Sequence, residues 1–307
     1  MRCTPALKKI FYLLSTALVV IGLTLTTASA ESVLEVYVVN YPLKYFAEAI
    51  GGPHVNVTLP IPPDEDPAYW TPSVANIGAY QKADLILLNG AGYARWVNKV
   101  SLPRSKTVNT SRAFKDRYII AKEITTHSHG AEGEHAHEAL AFTTWIDLSL
   151  AEQQAQAIYQ AFLRNLPELK SYLMDNYTTL KSNLLALDHQ FKTVIAENPS
   201  MPLLFSHPVY DYLIGRYALN GRSLHWEPDQ VPTADQMNEL QRIRAEYPAQ
   251  WFVWEGKPLD LSVEKLQAAG ISSTVFDPCG NRPSSGDFMS VMRQNIINME
   301  SVFKNQN

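Results

Sequence analysis

Between Pro167 and about Glu197 the chain carries an unbroken helical pattern. Leu173, Tyr177, Leu180, Leu184, Leu187, Phe191 and Val194 succeed one another at spacings of 4, 3, 4, 3, 4 and 3, which is one apolar stripe along a helix. Pro167 suits a first helical turn, and "ENPS" stops the run. About thirty residues at 1.5 Å each make a rod of ~45 Å. A rod of that length divides the chain into an N-terminal and a C-terminal part and can brace both.

On each side of the rod, short apolar runs alternate with helical patterns. "VLEVYVVNYPLKYFAEAIGG" reads as a valine-rich strand, a turn and an amphipathic helix ending at Gly51-Gly52. "VNVTLPIP" is a second strand, and "ANIGAYQKADLILLNGAGYARWV" gives a helix, a buried strand and the start of another helix. "KTVNTS" is a further strand, and residues 149–165 form one helix. After the rod, "PLLFSH", "QWFVWEG" and "STVFDP" read as strands. Helices in "VYDYLIGRYAL", "TADQMNELQRIRAEY", "SVEKLQAAGI" and "SGDFMSVMRQNIINMESVF" alternate with them. Such alternation favours parallel sheets covered by helices. The expected fold is α/β, with two lobes, each a parallel sheet flanked by helices, joined by one long helix. The expected boundaries are residues 31–166, 167–197 and 198–307.

Residues 1–30 stand apart. Arg2, Lys8 and Lys9 precede a mostly apolar run from Ile10 to Leu25, which closes on "TTASA". That is the pattern of a signal peptide cut after Ala30, and the run is short for a membrane span. The mature protein is therefore expected to be exported and soluble. Loss of these residues removes three positive charges and no negative ones, so the net charge goes from −4 to −7. An acidic chain speaks against nucleic acid as a partner and is compatible with cations. Cys3 leaves with the signal and Cys279 remains alone, so no internal disulfide is expected.

Ligands of open α/β sheets bind beyond the carboxyl ends of the strands. Three polar residues of the second half hold such positions: His207 ends "PLLFSH", Glu255 ends "QWFVWE" and Asp277 ends "STVFD". One imidazole and two carboxylates can bind a divalent first-row metal, although each residue alone could equally be a cap or surface group. "SLHWEPD" adds His225 and Glu227, which share a face if the segment is extended. Residues 125–138 hold His127, His129, His135 and His137, half of the eight histidines of the chain, in an exposed polar loop. A site made of that loop alone must order it at about 1–2 kcal/mol per residue, so the loop is read as auxiliary. Asp64, Glu65 and Asp66, among prolines, read as a solvated loop. Trp70, Trp226 and Trp254 are expected to shape the cleft wall. No phosphate loop, H-E-x-x-H helix or G-x-S-x-G elbow is present, and an enzyme is not expected.

Taken together, these stretches resemble the zinc and manganese solute-binding proteins of ABC transporters, the zinc-uptake receptor branch in particular. The opening lobe "VNYPLKYFAEAIGGPHVNVTLPIPPDEDPAYWTPS", "ADLILLNGAGYARWV", the helix from Pro167 to Glu197, "LLFSHPVYDYLIGRYAL", "FVWEG" and "VFDPCG" carry the likeness. The histidine-rich insertion stands where zinc members carry theirs. The resemblance implies a periplasmic receptor, expected to be a monomer, that captures Zn2+ (alternatively Mn2+ or Fe2+) between its lobes for an inner-membrane ABC permease.

The resemblance also implies a ligand set that this chain meets only in part. A histidine after Asp-Pro is replaced by Ala68, and a histidine before Trp-x-Asp by Thr143 or Thr144. His207 matches the third histidine, and Glu255 and Asp277 match the second-lobe acids. Alanine offers no donor and threonine a poor one for zinc. Three outcomes stay open. The site is rebuilt from His207, Glu255, Asp277 and His225 or Glu227 with help from the loop; it prefers a harder metal; or the cleft has turned to another small ligand. A metal chaperone or buffer acting through the loop is the alternative from another class.

Overall fold

The computed structural model describes residues 33–121 and 140–304; the expected signal peptide and His127, His129, His135 and His137 lie outside them. In the first half, Leu34–Val38 (β1) alternates buried Leu34, Val36 and Val38 with exposed Glu35. Tyr41–Gly51 (α1) comes next, its first turn capped by the Asn40 side chain, which accepts the Leu43 N–H at 3.2 Å. Val55–Thr58 (β2), Val74–Lys82 (α2), Leu85–Leu88 (β3) and Thr107–Asn109 (β4) complete this half. The strands are all parallel, in the order β2-β1-β3-β4. Where another helix start is expected after β3, a short 3-10 turn, Arg95–Lys99, stands instead.

Leu148–Asn165 (α3) leads through a 3-10 turn, Pro167–Leu169, into Lys170–Ala196 (α4). The long helix thus begins one turn later than Pro167. All seven residues of its apolar stripe are buried, each contributing about 1.5–3 kcal/mol relative to exposure. The second half runs Pro202–Phe205 (β5), Asp211–Tyr217 (α5), Asn220–Ser223 (β6), Ala234–Glu246 (α6), Trp251–Trp254 (β7), Asp260–Ala268 (α7), Ser272–Val275 (β8) and Phe288–Lys304 (α8). Its strands are again parallel, in the order β6-β5-β7-β8. The fold is the two-lobe α/β architecture expected, with β6 as an additional edge strand.

Helix α4 packs on α1 and α3 of the first half and on α8 of the second. One continuous apolar core therefore runs from β1 to α8, with Phe46 of α1 edge-on to Phe288 of α8 at 5.2 Å. A second, smaller core of Leu204, Trp226, Phe252, Trp254 and neighbours covers the other face of the second sheet. Polar bonds also join the lobes directly. The loop after β8 donates from Asn281 Nδ2 to the carbonyls of Pro62 (2.6 Å) and Glu65 (2.8 Å). Arg282 donates to the carbonyls of Ile61 (2.9 Å) and Leu59. In return, the Tyr41 N–H reaches Gly280 O at 2.9 Å and Trp145 Nε1 reaches Pro278 O at 2.6 Å. Among the described residues no helix is long and apolar enough to cross a membrane.

Candidate metal cleft

Because β5, β7 and β8 are adjacent and parallel, their carboxyl ends open on one side, and His207, Glu255 and Asp277 stand just beyond those ends in turn. Ser206, fully buried, ties the tips together. Its Oγ accepts the Glu255 N–H at 3.1 Å, its carbonyl accepts the Trp226 N–H at 2.7 Å, and its own N–H reaches Val253 O at 2.8 Å. This places His225, Glu227 and Glu255 around His207.

The imidazole of His207 stands between two carboxylates. Nε2 is 3.8 Å from Glu227 Oε1, and Nδ1 is 3.7 Å from Glu255 Oε2. Both separations exceed a hydrogen bond. Two ligands on one tetrahedral zinc, at ~2.0–2.1 Å from it, stand about 3.3 Å apart, so each pair is a small movement from sharing an ion. One ion can take only one ring nitrogen; the carboxylate on the other side would then hold and orient the ring. The ring of His225 lies 5.8 Å from that of His207, nearly perpendicular to it. Asp277 turns one oxygen back to accept the Cys279 N–H at 2.6 Å. Among the described residues, no three His, Cys, Asp or Glu side chains already form a metal-holding group.

The charges of the cleft act on one another. Burial raises the Glu255 carboxyl to about 7, and the negative charges of Glu227, Asp66 and Asp277 add to the effect. Burial likewise raises Asp277, partly offset by the Cys279 N–H. Asp66 was expected in a solvated loop with Asp64 and Glu65. Its surface is indeed exposed, yet the neighbouring protein desolvates its carboxyl enough to raise its pKa. It lies within electrostatic reach of His207, Glu227 and Arg95, and its Oδ1 accepts the Ala68 N–H at 2.8 Å. Asp66 is therefore a first-lobe acid that sequence reasoning did not nominate.

The departures from the expected ligand set also have definite places. Ala68 is buried. Thr143 lines the cavity beside His207, with its hydroxyl on Val209 O. Thr144 points into the core, where it joins Asn89 and Gln154 in a buried polar network at 3.3 and 3.2 Å. Trp226 and Trp254 sit in the second core rather than on the cleft wall, and Trp70 packs edge-on to Trp96 at 6.2 Å. None of the three lines the cavity.

The family model described as "ZnuA: Zinc-uptake complex component A periplasmic" matches residues 36–302. The chain belongs to this family. It is 26% identical over 247 residues to the high-affinity zinc uptake system protein ZnuA of Bacillus subtilis, covering 76% of this chain and 75% of the relative. It is 22% identical over 310 residues to the zinc-binding protein AdcA of Streptococcus pyogenes serotype M3, covering 94% of this chain. The chain spans only 60% of the length of AdcA. The crystal structure of the metal-dependent lipoprotein YcdH of Bacillus subtilis superposes with a TM-score of 0.75 at 21% identity, over 87% of this chain and 98% of that one. At that identity the likeness speaks for the fold. The two-lobe architecture and the zinc-uptake family implied by the resemblance both hold.

Proposed function

We propose that this protein is the receptor of an ABC importer and captures a divalent metal ion, zinc foremost, in the cleft between its lobes. The observation that carries the proposal is the position of His207, held between Glu227 and Glu255 at the tips of adjacent strands. Membership in the zinc-uptake family supports zinc as the cargo. The ion is bound by one nitrogen of His207 and by carboxylates drawn from Glu227, Glu255, Asp277 and Asp66, with His225 in reserve. The histidines at 127, 129, 135 and 137 collect metal and pass it on. Residues 1–30 direct export to the periplasm, an inner-membrane permease receives the ion, and the receptor works as a monomer that carries out no reaction. Boundaries at 31–166, 167–197 and 198–307 suit this division of labour.

Oxygen donors outnumber nitrogen donors here, and that balance favours Mn2+ or Fe2+ more than a three-histidine site would. Calorimetry with Zn2+, Mn2+ and Fe2+ on the wild type and on His207→Ala therefore tests both metal and site. Loss of the imidazole is expected to weaken zinc binding by about a hundredfold, in line with losing a ligand or its orienting partner. Removal of residues 126–138 is expected to cost far less. The reverse order would move the high-affinity site to the histidine-rich stretch and sink the proposal.

A further inference from the structure

His207 borders two environments. On one side lie the acids described above. On the other opens a cavity of about 650 Å3 whose walls hold Arg95 and Arg222. Each guanidinium is stacked on a phenol ring, Arg95 over Tyr69 at 4.7 Å and Arg222 over Tyr247 at 4.4 Å. Both arginines are exposed; stacking favours these positions modestly and occupies the face of each guanidinium rather than its N–H edges. Among the described residues neither guanidinium makes a side-chain hydrogen bond or salt bridge. Among the described residues lining the cavity, Asp211, in the first turn of α5, is the one acid against two guanidiniums.

A bare ion does not account for this space. Six waters around a cation, at ~30 Å3 each, fill about 180 Å3, far less than the cavity. Guanidiniums repel a cation and match carboxylates. A volume of this size suits a small organic molecule. The ligand set is also short where the cavity begins, since Thr143, one of the two candidates for the single position where the resemblance implies a second histidine, stands on its wall.

We propose that the cavity binds a small multidentate carboxylate chelator together with the metal ion. The chelator's donors complete the coordination that the protein leaves open, and its remaining carboxylates face Arg95 and Arg222. This rests on the metal-receptor reading and names the form in which the metal arrives.

Citrate serves as the probe. Zinc binding is measured at buffered free zinc with and without citrate, and native mass spectrometry records stoichiometry. Citrate is expected to tighten zinc binding by about tenfold, within the usual range of coupling between two ligands, with a mass for one protein, one zinc and one citrate. Arg222→Ala is expected to abolish that gain while binding zinc alone as the wild type does. Zinc binding without any gain or ternary mass overturns this inference and leaves the metal receptor standing. A gain that survives undiminished in Arg222→Ala overturns the cavity as its seat. Failure to bind zinc in either condition removes both readings.

Discussion

A carboxyl that is largely cut off from water and faces three other acids holds its proton unusually well. Glu255 is in that position, raised from 4.5 to about 7 by burial first and by Glu227, Asp66 and Asp277 next. A metal ion must displace that proton. Zinc affinity is therefore expected to fall about tenfold per pH unit below pH 7, on top of the loss from any other group. In Glu255→Gln that extra slope should vanish; calorimetry between pH 6 and 8 reads it directly. The same residue sets a stability trade-off. Its native pKa is above its unfolded one, so its contribution to the metal-free fold is present at low pH and is lost as pH rises through about 7. Glu255→Gln is thus expected to stabilise the metal-free protein at pH 8 by about 1–3 kcal/mol while weakening metal binding; urea titration at pH 8 and pH 5 should show the difference shrinking at the lower value. At this scale the sequence was only partly legible. His207 and Glu255 could be placed because an apolar strand ends at each. Asp66 could not, because an acid between prolines looks the same whether it faces bulk water or a cleft. The choice between Thr143 and Thr144 was undecidable too, since the short helical turn Thr144–Ile146 breaks the alternation that would have assigned them to faces.

Elements gave themselves away in proportion to the length and regularity of their patterns. Helix α4 has seven stripe residues and was plain, apart from its first turn. Strand β6 was missed because "NGRS" has no apolar or β-branched residue. It exists through its register with β5 and through Gly221, where a Cβ would lie 2.6 Å from the Phe205 ring. Both causes are tertiary. The segment after β8 is another element whose role appears only in three dimensions. Asp277 bonds the Cys279 N–H, Cys279 takes a left-handed φ of 58°, and the chain then delivers Asn281 and Arg282 to the carbonyls of residues 59–65. That clamp holds the stretch leading to Asp66. Arg282→Ala leaves two carbonyls of nearly buried residues, Leu59 and Ile61, without their cationic donor. It is expected to destabilise the fold by about 1–3 kcal/mol, to speed hydrogen exchange in residues 59–70, and to weaken metal binding less than His207→Ala does. Unchanged exchange in that segment would show that the clamp does not hold it.

At the scale of the whole molecule, the bonds between the lobes decide how it can move. Helix α4 belongs to the core of both halves, and a second lock lies beside it. Arg216 of α5 reaches Asp188 of α4 at 2.7 Å and Asp147, which caps α3, at 3.4 Å. Both acids are almost fully buried. Burial opposes the charge of Asp188, yet its bonds to Arg216 and Lys192 outweigh that and lower its pKa. Removing Arg216 takes one cation from each of two buried carboxylates and leaves Asp188 to Lys192 and Tyr217 and Asp147 to Arg117, so Arg216→Ala is expected to cost about 1–3 kcal/mol, whereas breaking the exposed Lys304–Glu300 pair should cost almost nothing. With a shared helix, a shared core, the clamp after β8 and this ion lock, wide hinge closure would have to break several of these contacts at once. Metal capture is instead expected to draw side chains together over a small distance around His207. Small-angle scattering of metal-free and zinc-loaded protein should then give the same radius of gyration, while Arg216→Ala, kept folded at low temperature, should broaden the metal-free distribution. A lobe rotation on the order of 30° on loading, about twice the ~15° interface rotation that switches haemoglobin, would mean that these locks yield to the ion rather than frame its site.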